Sequence, residues 1–281
     1  MFANVLRMEN SKLYRRRILW VELGVLAVLV AIVYAGVYAE FRASPSEPSQ
    51  MAESMFWPDG LSQFAYFAGG NSFGGYLAII LVATVTAQEY TWRTVSLWLS
   101  HGLSRPTLMA AKFTSFLLPL LLIVVTASIT GALGTGFITY SALGTLSLNH
   151  VALGRVGLKL VYTAYTLLPY ASLTFLLVVV TRSVAAAVGV GIAYSLMVEG
   201  LAVQLLSAAG SGLAEVGKYL PGSLAQTLLL NPGLVEVSGP EGAAVNPPLL
   251  GVGLAAVLIA GYTIVFLGLA TWAFHRQDIT A

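Results

Sequence analysis

The chain lacks cysteine altogether and has little charge: none of its 281 residues is Cys, 3 are His, and only 9% are Asp, Glu, Lys or Arg. The first absence excludes disulfides, thiol catalysis and cysteine metal sites, and leaves the redox compartment open. There is no HExxH, no pair of aspartates within an apolar run and no convincing Ser and His pairing, so an intramembrane protease is disfavoured. A fixed-period repeat and a low-complexity region are also missing. A complete nucleotide-binding loop is absent too. The segment "GLAEVGKY", Gly212 to Tyr219, has the glycine and lysine spacing of a phosphate-binding loop, but Tyr219 stands where Ser or Thr is required and no strand precedes it.

What the chain has instead is apolar surface. With 57% hydrophobic residues and a mean hydropathy of +0.82, it has too little polar surface to cover a soluble domain of this length. About 20 apolar residues are needed to cross roughly 30 Å of hydrocarbon as a helix. Six segments qualify: Ile18–Tyr38, Phe64–Ala87, Phe113–Phe137, Leu160–Val180, Val184–Leu206 and Leu249–Phe274. They are apolar on every face, which favours helices over the alternating pattern of a barrel. The first follows a basic stretch, as a signal peptide does, but it is too long for one and five more follow. Within all six, the only acidic or basic side chains are Glu22 and Glu199.

Charge distribution predicts orientation. With a cytoplasmic amino terminus, the inner side carries Arg7, Lys12, Arg15, Arg16, Arg17, Arg93, Arg105, Lys112, Arg182 and Arg276, and the outer side only Arg42, Arg155, Lys159 and Lys218. This bias predicts that both ends lie inside. Residues 1–17 place Phe2, Val5, Leu6, Glu9 and Leu13 near helical spacing before three arginines, as in an amphipathic helix at the inner interface; a disordered basic tail held near anionic lipid is the alternative. The first outer loop, residues 39–63, reads as an extended surface segment from its Pro, Ser and acidic content. Only "TRS" separates the fourth and fifth spans, so Arg182 marks the inner boundary of a tight helical hairpin. Between the fifth and sixth spans, "SGLAEVGKYLPGSLAQTLLLNPG" is apolar but interrupted by Glu215, Lys218 and Pro221-Gly222, which predicts one or two short helices dipping into the outer leaflet.

Several residues stand out against this background. Glu199 lies about seven residues inside the outer end of its span, roughly 10 Å deep. An ionisable group there lines a translocation path or bonds a facing helix, and the bland alternative is a carboxyl bonded to Ser195 one turn earlier. Together with Asn71, Glu199 and Ser195 form the candidate path. Glu22 and Lys159, near the ends of their spans, read as side chains that snorkel to the interface. Gly70 and Gly74 form a GxxxG pair suited to close helix packing, and Pro119 and Pro169 sit mid-span, where kinks are tolerated.

Charge gathers in "AQEYTWRTVSLWLSHGLSRPTLMAAKF", Ala87 to Phe113. Glu89 and Arg93 are four apart with the acid first, which favours a pair on one helical turn. Residues 94–102 could form two turns with Val95, Trp98 and Leu99 on one side and Gly102 as terminator. Ser104 and Pro106 suit the start of the next helix. A short helix parallel to the membrane fits, either anchoring the loop in headgroups or docking a cytoplasmic partner.

This stretch resembles the segment after the second span of ABC-2 type permeases, on Glu89, Thr94, Leu97, Leu99, Ser104, Arg105 and Lys112. Arg93 stands where that family often has Gly, and His101-Gly102 replaces a frequent Pro-containing turn. The likeness extends loosely to six spans, the basic amphipathic start, the apolar outer insertion and the ending "FHRQDITA".

The resemblance implies an all-α membrane protein forming a single transmembrane domain over residues 1–281. It also implies a cytoplasmic coupling helix docked on an ATPase through Glu89, Tyr90, Arg93, Thr94, Val95, Trp98, Leu99, Ser104, Arg105 and Lys112. The chain would be the permease subunit of an ATP-driven exporter in a prokaryotic plasma membrane, paired with a second permease copy or close relative and two cytoplasmic ATPase subunits. It would not itself be an enzyme and would hold no cofactor, since the partner binds ATP and Mg. Nucleic acid is not an expected partner. The competing readings are an ion-coupled secondary carrier, which usually needs more embedded ionisable groups than Glu199 alone, and a membrane scaffold or assembly protein that transports nothing.

Overall fold

The computed structural model describes residues 2–43, 54–92, 104–145, 153–202, 216–230 and 250–277, and these residues form helices without a strand. In chain order, α1 spans Phe2–Arg15, α2 Arg17–Ala43, α3 Phe64–Ala68, α4 Phe73–Thr91, α5 Arg105–Leu143, α6 Leu153–Thr166, α7 Leu168–Thr181, α8 Val184–Ala193, α9 Pro221–Leu229 and α10 Val252–His275. Beyond α8 the helix continues in wider π-type turns over Tyr194–Ala202. Five helices are long and apolar enough to cross a membrane, or six if the bent pair Asp59–Ala68 and Phe73–Thr91 counts as one span. The protein is therefore a multi-pass helical bundle of the kind a bilayer accepts, since helices satisfy their own backbone groups where no water can.

α7 occupies the centre and packs against α4, α8 and α10, while α2 and α1 lie along α5. Phe175 of α7 meets Phe113 and Phe116 of α5 at ring distances of 6.0 and 6.5 Å. α2 and α5 approach closely because Gly134 faces the Tyr34 ring, where a Cβ would collide, and Thr135 donates to the Tyr34 hydroxyl at 3.2 Å. Outward-facing Val25, Ile32, Leu133, Phe137, Val257 and Ile264 are exposed, as a lipid-facing surface requires.

Local chemistry explains the boundaries. α5 starts after Ser104 with Pro106 in its first turn, where a missing N–H costs nothing, and ends on Gly144 at φ 69°. α7 and α8 form the expected tight hairpin: Arg182 takes a left-handed conformation at φ 54°, and the Ser183 hydroxyl accepts from the Ala186 N–H at 3.4 Å. The insertion before the last span supplies one described short helix, α9, which Pro221 opens and which is buried against α6 and α10.

Other expectations need correction. The second span is broken at residues 69–72 and bends by 41°. Gly70 and Gly74 do not form a packing stripe on one helix. The Gly70 N–H donates to Thr166 Oγ1 at 3.1 Å, and Gly74 abuts the Ala68 carbonyl of its own chain, so both serve the break. Pro169 does lie mid-span as expected: it stands in the first turn of α7, just after an interruption at Leu167 within the apolar stretch Gly154–Thr181. α5 runs for 39 residues and extends past both ends of the predicted third span. The end of the first outer loop is not extended: Asp59–Ser62 form a 3-10 turn against α5, and the Trp57 N–H donates to Thr139 Oγ1 at 2.8 Å.

Candidate functional site

The face of α1 that carries Val5 and Leu13 also carries Glu9, one turn from each, and it packs on α5. Val5 touches Ala111 there, which brings Glu9 against the next residue, Lys112. Lys112 Nζ lies 3.8 Å from Glu9 Oε2 and also pairs with Glu89, while Lys12 donates to Glu9 Oε1 at 2.9 Å. Glu89 and Lys112 are buried at 3% and 4% exposure. Glu89 sits in the last turn of α4, where the helix dipole disfavours an acid, and Lys112 offsets that cost.

Arg16, the single residue between α1 and α2, donates to the Gln88 side chain and lies 5.5 Å from the Trp92 ring. Its half-burial lowers the guanidinium below its ordinary value, and nearby Glu9 opposes that shift. Arg105 donates to the carbonyls of Phe274, His275 and Gln277, each at 3.0 Å, and so caps the end of α10. Gln277 Nε2 in turn reaches the Val179 carbonyl of α7. Two polar groups thus lie near this end of the bundle: one joins α1 and Arg16 to the end of α4 and the early turns of α5, and the other joins the start of α5 to the ends of α10 and α7. The 93–103 segment follows Trp92, beside Arg16, and precedes Ser104, next to Arg105.

The structure therefore moves part of the expected docking set inward. Glu89 and Lys112 spend their charges inside the chain, where desolvation demands a partner, and the half-buried Arg105 spends its donors on the end of α10. Tyr90 is half-buried beside Ala83, Ala87, Val178 and Ala187. Ser104 is exposed, 2.6 Å from Thr107 through their hydroxyls. Arg93, Thr94, Val95, Trp98 and Leu99 lie outside the described residues. Glu9, Arg16 and Gln88 are partners that sequence reading missed. The available signal was Glu9, a carboxylate on the apolar face of an amphipathic helix.

A second cluster surrounds Glu199 on the π-type stretch. The Tyr170 hydroxyl of α7 donates to Glu199 Oε2, and the Gly222 N–H and the Tyr194 hydroxyl also bond the carboxylate. The wider turn brings residue i−5 onto the face of residue i, which is how Tyr194 reaches its own helix's acid. Gly222 is required by close approach: a Cβ there would lie 2.8 Å from Glu199 Oε2 and 3.5 Å from the Asn71 Cβ. Glu199 Oε1 is buried with no partner among the described residues. Asn71 and Glu199 thus both lie beside Gly222. Ser195 is buried on the same stretch but is not among the groups that bond Glu199, so the alternative one-turn pairing gives way to the two tyrosines.

The two ionisable side chains read as snorkelling are both interior. Glu22 is 5% exposed, with neither oxygen partnered among the described residues, and Lys159 is 3% exposed. Each lies on a face turned toward neighbouring helices, which blocks its route to the interface.

The fold and its charge placement define a multi-pass α-helical membrane protein. The family model described as "Protein of unknown function (DUF2705)" matches residues 58–280, and the chain belongs to that family. No curated protein matches it.

Proposed function

We propose that this chain is the permease subunit of an ATP-driven ABC exporter, working beside a second permease copy and cytoplasmic ATPase subunits that carry ATP and Mg. The observation that carries this reading is the ionic cluster of Glu9, Lys12, Lys112 and Glu89, together with Arg16 on Gln88, which joins the end of α4 before the 93–103 segment to the early turns of α5 after it. A segment that transmits an ATPase's motion must be stiffly joined to the spans, because ATP shifts the inward and outward populations only through different binding energy to the two states. The likeness of residues 89–112 to ABC-2 permeases supplies the identity of the partner. In this reading Arg93, Thr94, Val95, Trp98 and Leu99 make the contact, with Ser104 at its edge. Glu89, Arg105 and Lys112 act behind them as positioning residues, and Glu199, with Asn71 and Ser195, belongs to the translocation path.

The positive-inside bias supports the part of this reading that puts both termini in the cytoplasm. Since the chain has no cysteine, single cysteines test this directly. Cysteines at positions 46, 149 and 238 should react with an impermeant thiol reagent from outside, and one at position 100 should not. Reversed labelling would overturn the topology and, with it, docking from the cytoplasm. An ion-coupled carrier or a scaffold predicts no ATPase bound to the purified chain, and that outcome would remove the exporter reading.

A further inference from the structure

A cavity of about 290 Å³ is lined by Ala65, Tyr66, Asn71, Ser72, Lys159, Gln226, Leu229 and Leu230. It draws on α3, the break before α4, α6 and α9. Lys159 is almost fully buried, and among the described residues no carboxylate lies within ion-pair distance of it. The Tyr66 ring lies 6.0 Å from its ammonium, and Tyr66 itself is exposed at the bundle surface. Ser72 spends its hydroxyl on the carbonyls of Phe67 and Gly69. No hydrogen bond among the described residues uses the side-chain amides of Asn71 or Gln226. The cavity therefore offers one cation and two uncommitted amides, with no acid in its wall, in a setting where a buried lysine needs a counter-charge.

Its depth narrows the ligand. Asn71 and Ser72 precede α4, and Glu89 lies in that helix's last turn, so most of α4's 19 residues separate the cavity from the ionic cluster. At about 1.5 Å per residue the separation is about 26 Å, approaching the hydrocarbon thickness of about 30 Å. The cavity thus lies toward the membrane face opposite the cluster, within reach of the headgroups there. Its volume is at the lower edge of the range for small-molecule pockets, about 300–1,000 Å³. That admits a headgroup but not acyl chains, which would lie along the apolar exterior beside Tyr66.

We propose that this cavity binds a phosphate anion, supplied by the headgroup of an anionic phospholipid, with Lys159 as counter-ion and Asn71 and Gln226 as hydrogen-bond donors. The inference stands whether or not the chain transports anything.

The test is native mass spectrometry of the full chain purified from a mixture of phosphatidylglycerol and phosphatidylcholine with matched acyl chains. A parallel thermal-unfolding series would use inorganic phosphate alone. Wild type should retain phosphatidylglycerol over phosphatidylcholine. Lys159→Met should lose that preference about tenfold, as expected for one charge-assisted hydrogen bond, and Lys159→Arg should keep it. Gln226→Leu leaves the charge in place and should weaken retention, which keeps the test open if Lys159→Met fails to fold. Equal retention of both lipids, or unchanged preference in Lys159→Met, would overturn the proposal. Stabilisation by inorganic phosphate without lipid retention would overturn the lipid source and assign the site to free phosphate.

Discussion

Replacing Glu89 by Gln removes one acid from a buried cluster that holds Glu9, Lys12 and Lys112, while keeping the side chain's size. Lys112 would then depend on Glu9 at 3.8 Å. At an effective dielectric of about 20, that pair is worth about 4 kcal/mol before the cost of desolvating the ions, which is of similar size. The remaining pair therefore only partly offsets the burial of the ammonium. Breaking a buried pair by removing one partner typically costs about 3–5 kcal/mol. The presence of Glu9 argues for the lower end, about 3 kcal/mol. For a chain of this size each kcal/mol moves the unfolding midpoint by about 2–4 °C, so Glu89→Gln should lower it by roughly 6–12 °C. Combining it with Lys112→Met leaves Glu9 its 2.9 Å bond to Lys12 and removes the stranded cation, so the double variant should recover most of the loss. The assay is thermal unfolding of the purified chain in one detergent, for wild type, both single variants and the double. A Glu89→Gln midpoint within about 1 °C of wild type, or a double variant less stable than the two singles added together, would refute the argument that these charges hold each other in the interior.

Three further outcomes follow from the same structure. Arg105→Ala strips three carbonyls at the end of α10 of a charged donor and should cost about 2 kcal/mol, read as lower thermal stability and faster proteolysis near residue 277; an unchanged digestion pattern would contradict the cap. Glu199→Gln should leave expression and folding near normal but reduce export, whereas Tyr170→Phe, which removes the donor to Glu199, should alter export less; unchanged transport in both would return Glu199 to a packing role. Gly222→Ala drives a methyl into the Glu199 carboxylate and should destabilise α9, seen as faster hydrogen exchange over residues 221–229; unchanged exchange there would show that the approach is looser than described.

What the sequence revealed was local. Ser104 and Pro106 mark the start of α5, "TRS" forms the hairpin between α7 and α8, and Pro221 opens a short helix, because capping, turn and proline chemistry act within a few residues. The spans were legible because crossing a bilayer requires long apolar runs. Long-range pairing was not: Glu9 and Lys112 are far apart in sequence, and only the docking of α1 on α5 brings them together. The same limit applies to Lys159 and Glu22, whose sequence position near a span's end allows snorkelling while the packing of their helix faces decides otherwise. The break at residues 69–72 was hidden because "GGNSFGG" suits both a close-packed helix and a chain that doubles back on itself. The contact with Thr166 that selects the second lies 96 residues away. Glu199 was visible as a buried acid, but its tyrosine shell depends on a π-type register that periodicity at 3.6 residues per turn does not reveal.

The central claim is that the 93–103 segment grips an ATPase. The most direct measurement is ATP hydrolysis and subunit content of the complex purified from native membranes on the tagged full chain, for wild type and Trp98→Ala side by side, with total chain level recorded. The account predicts that a P-loop ATPase and its hydrolytic activity accompany the wild-type chain, and that Trp98→Ala loses both while its level and membrane insertion are unchanged. A wild-type chain that carries no such ATPase, or a Trp98→Ala chain that retains it with full coupling, would contradict the account.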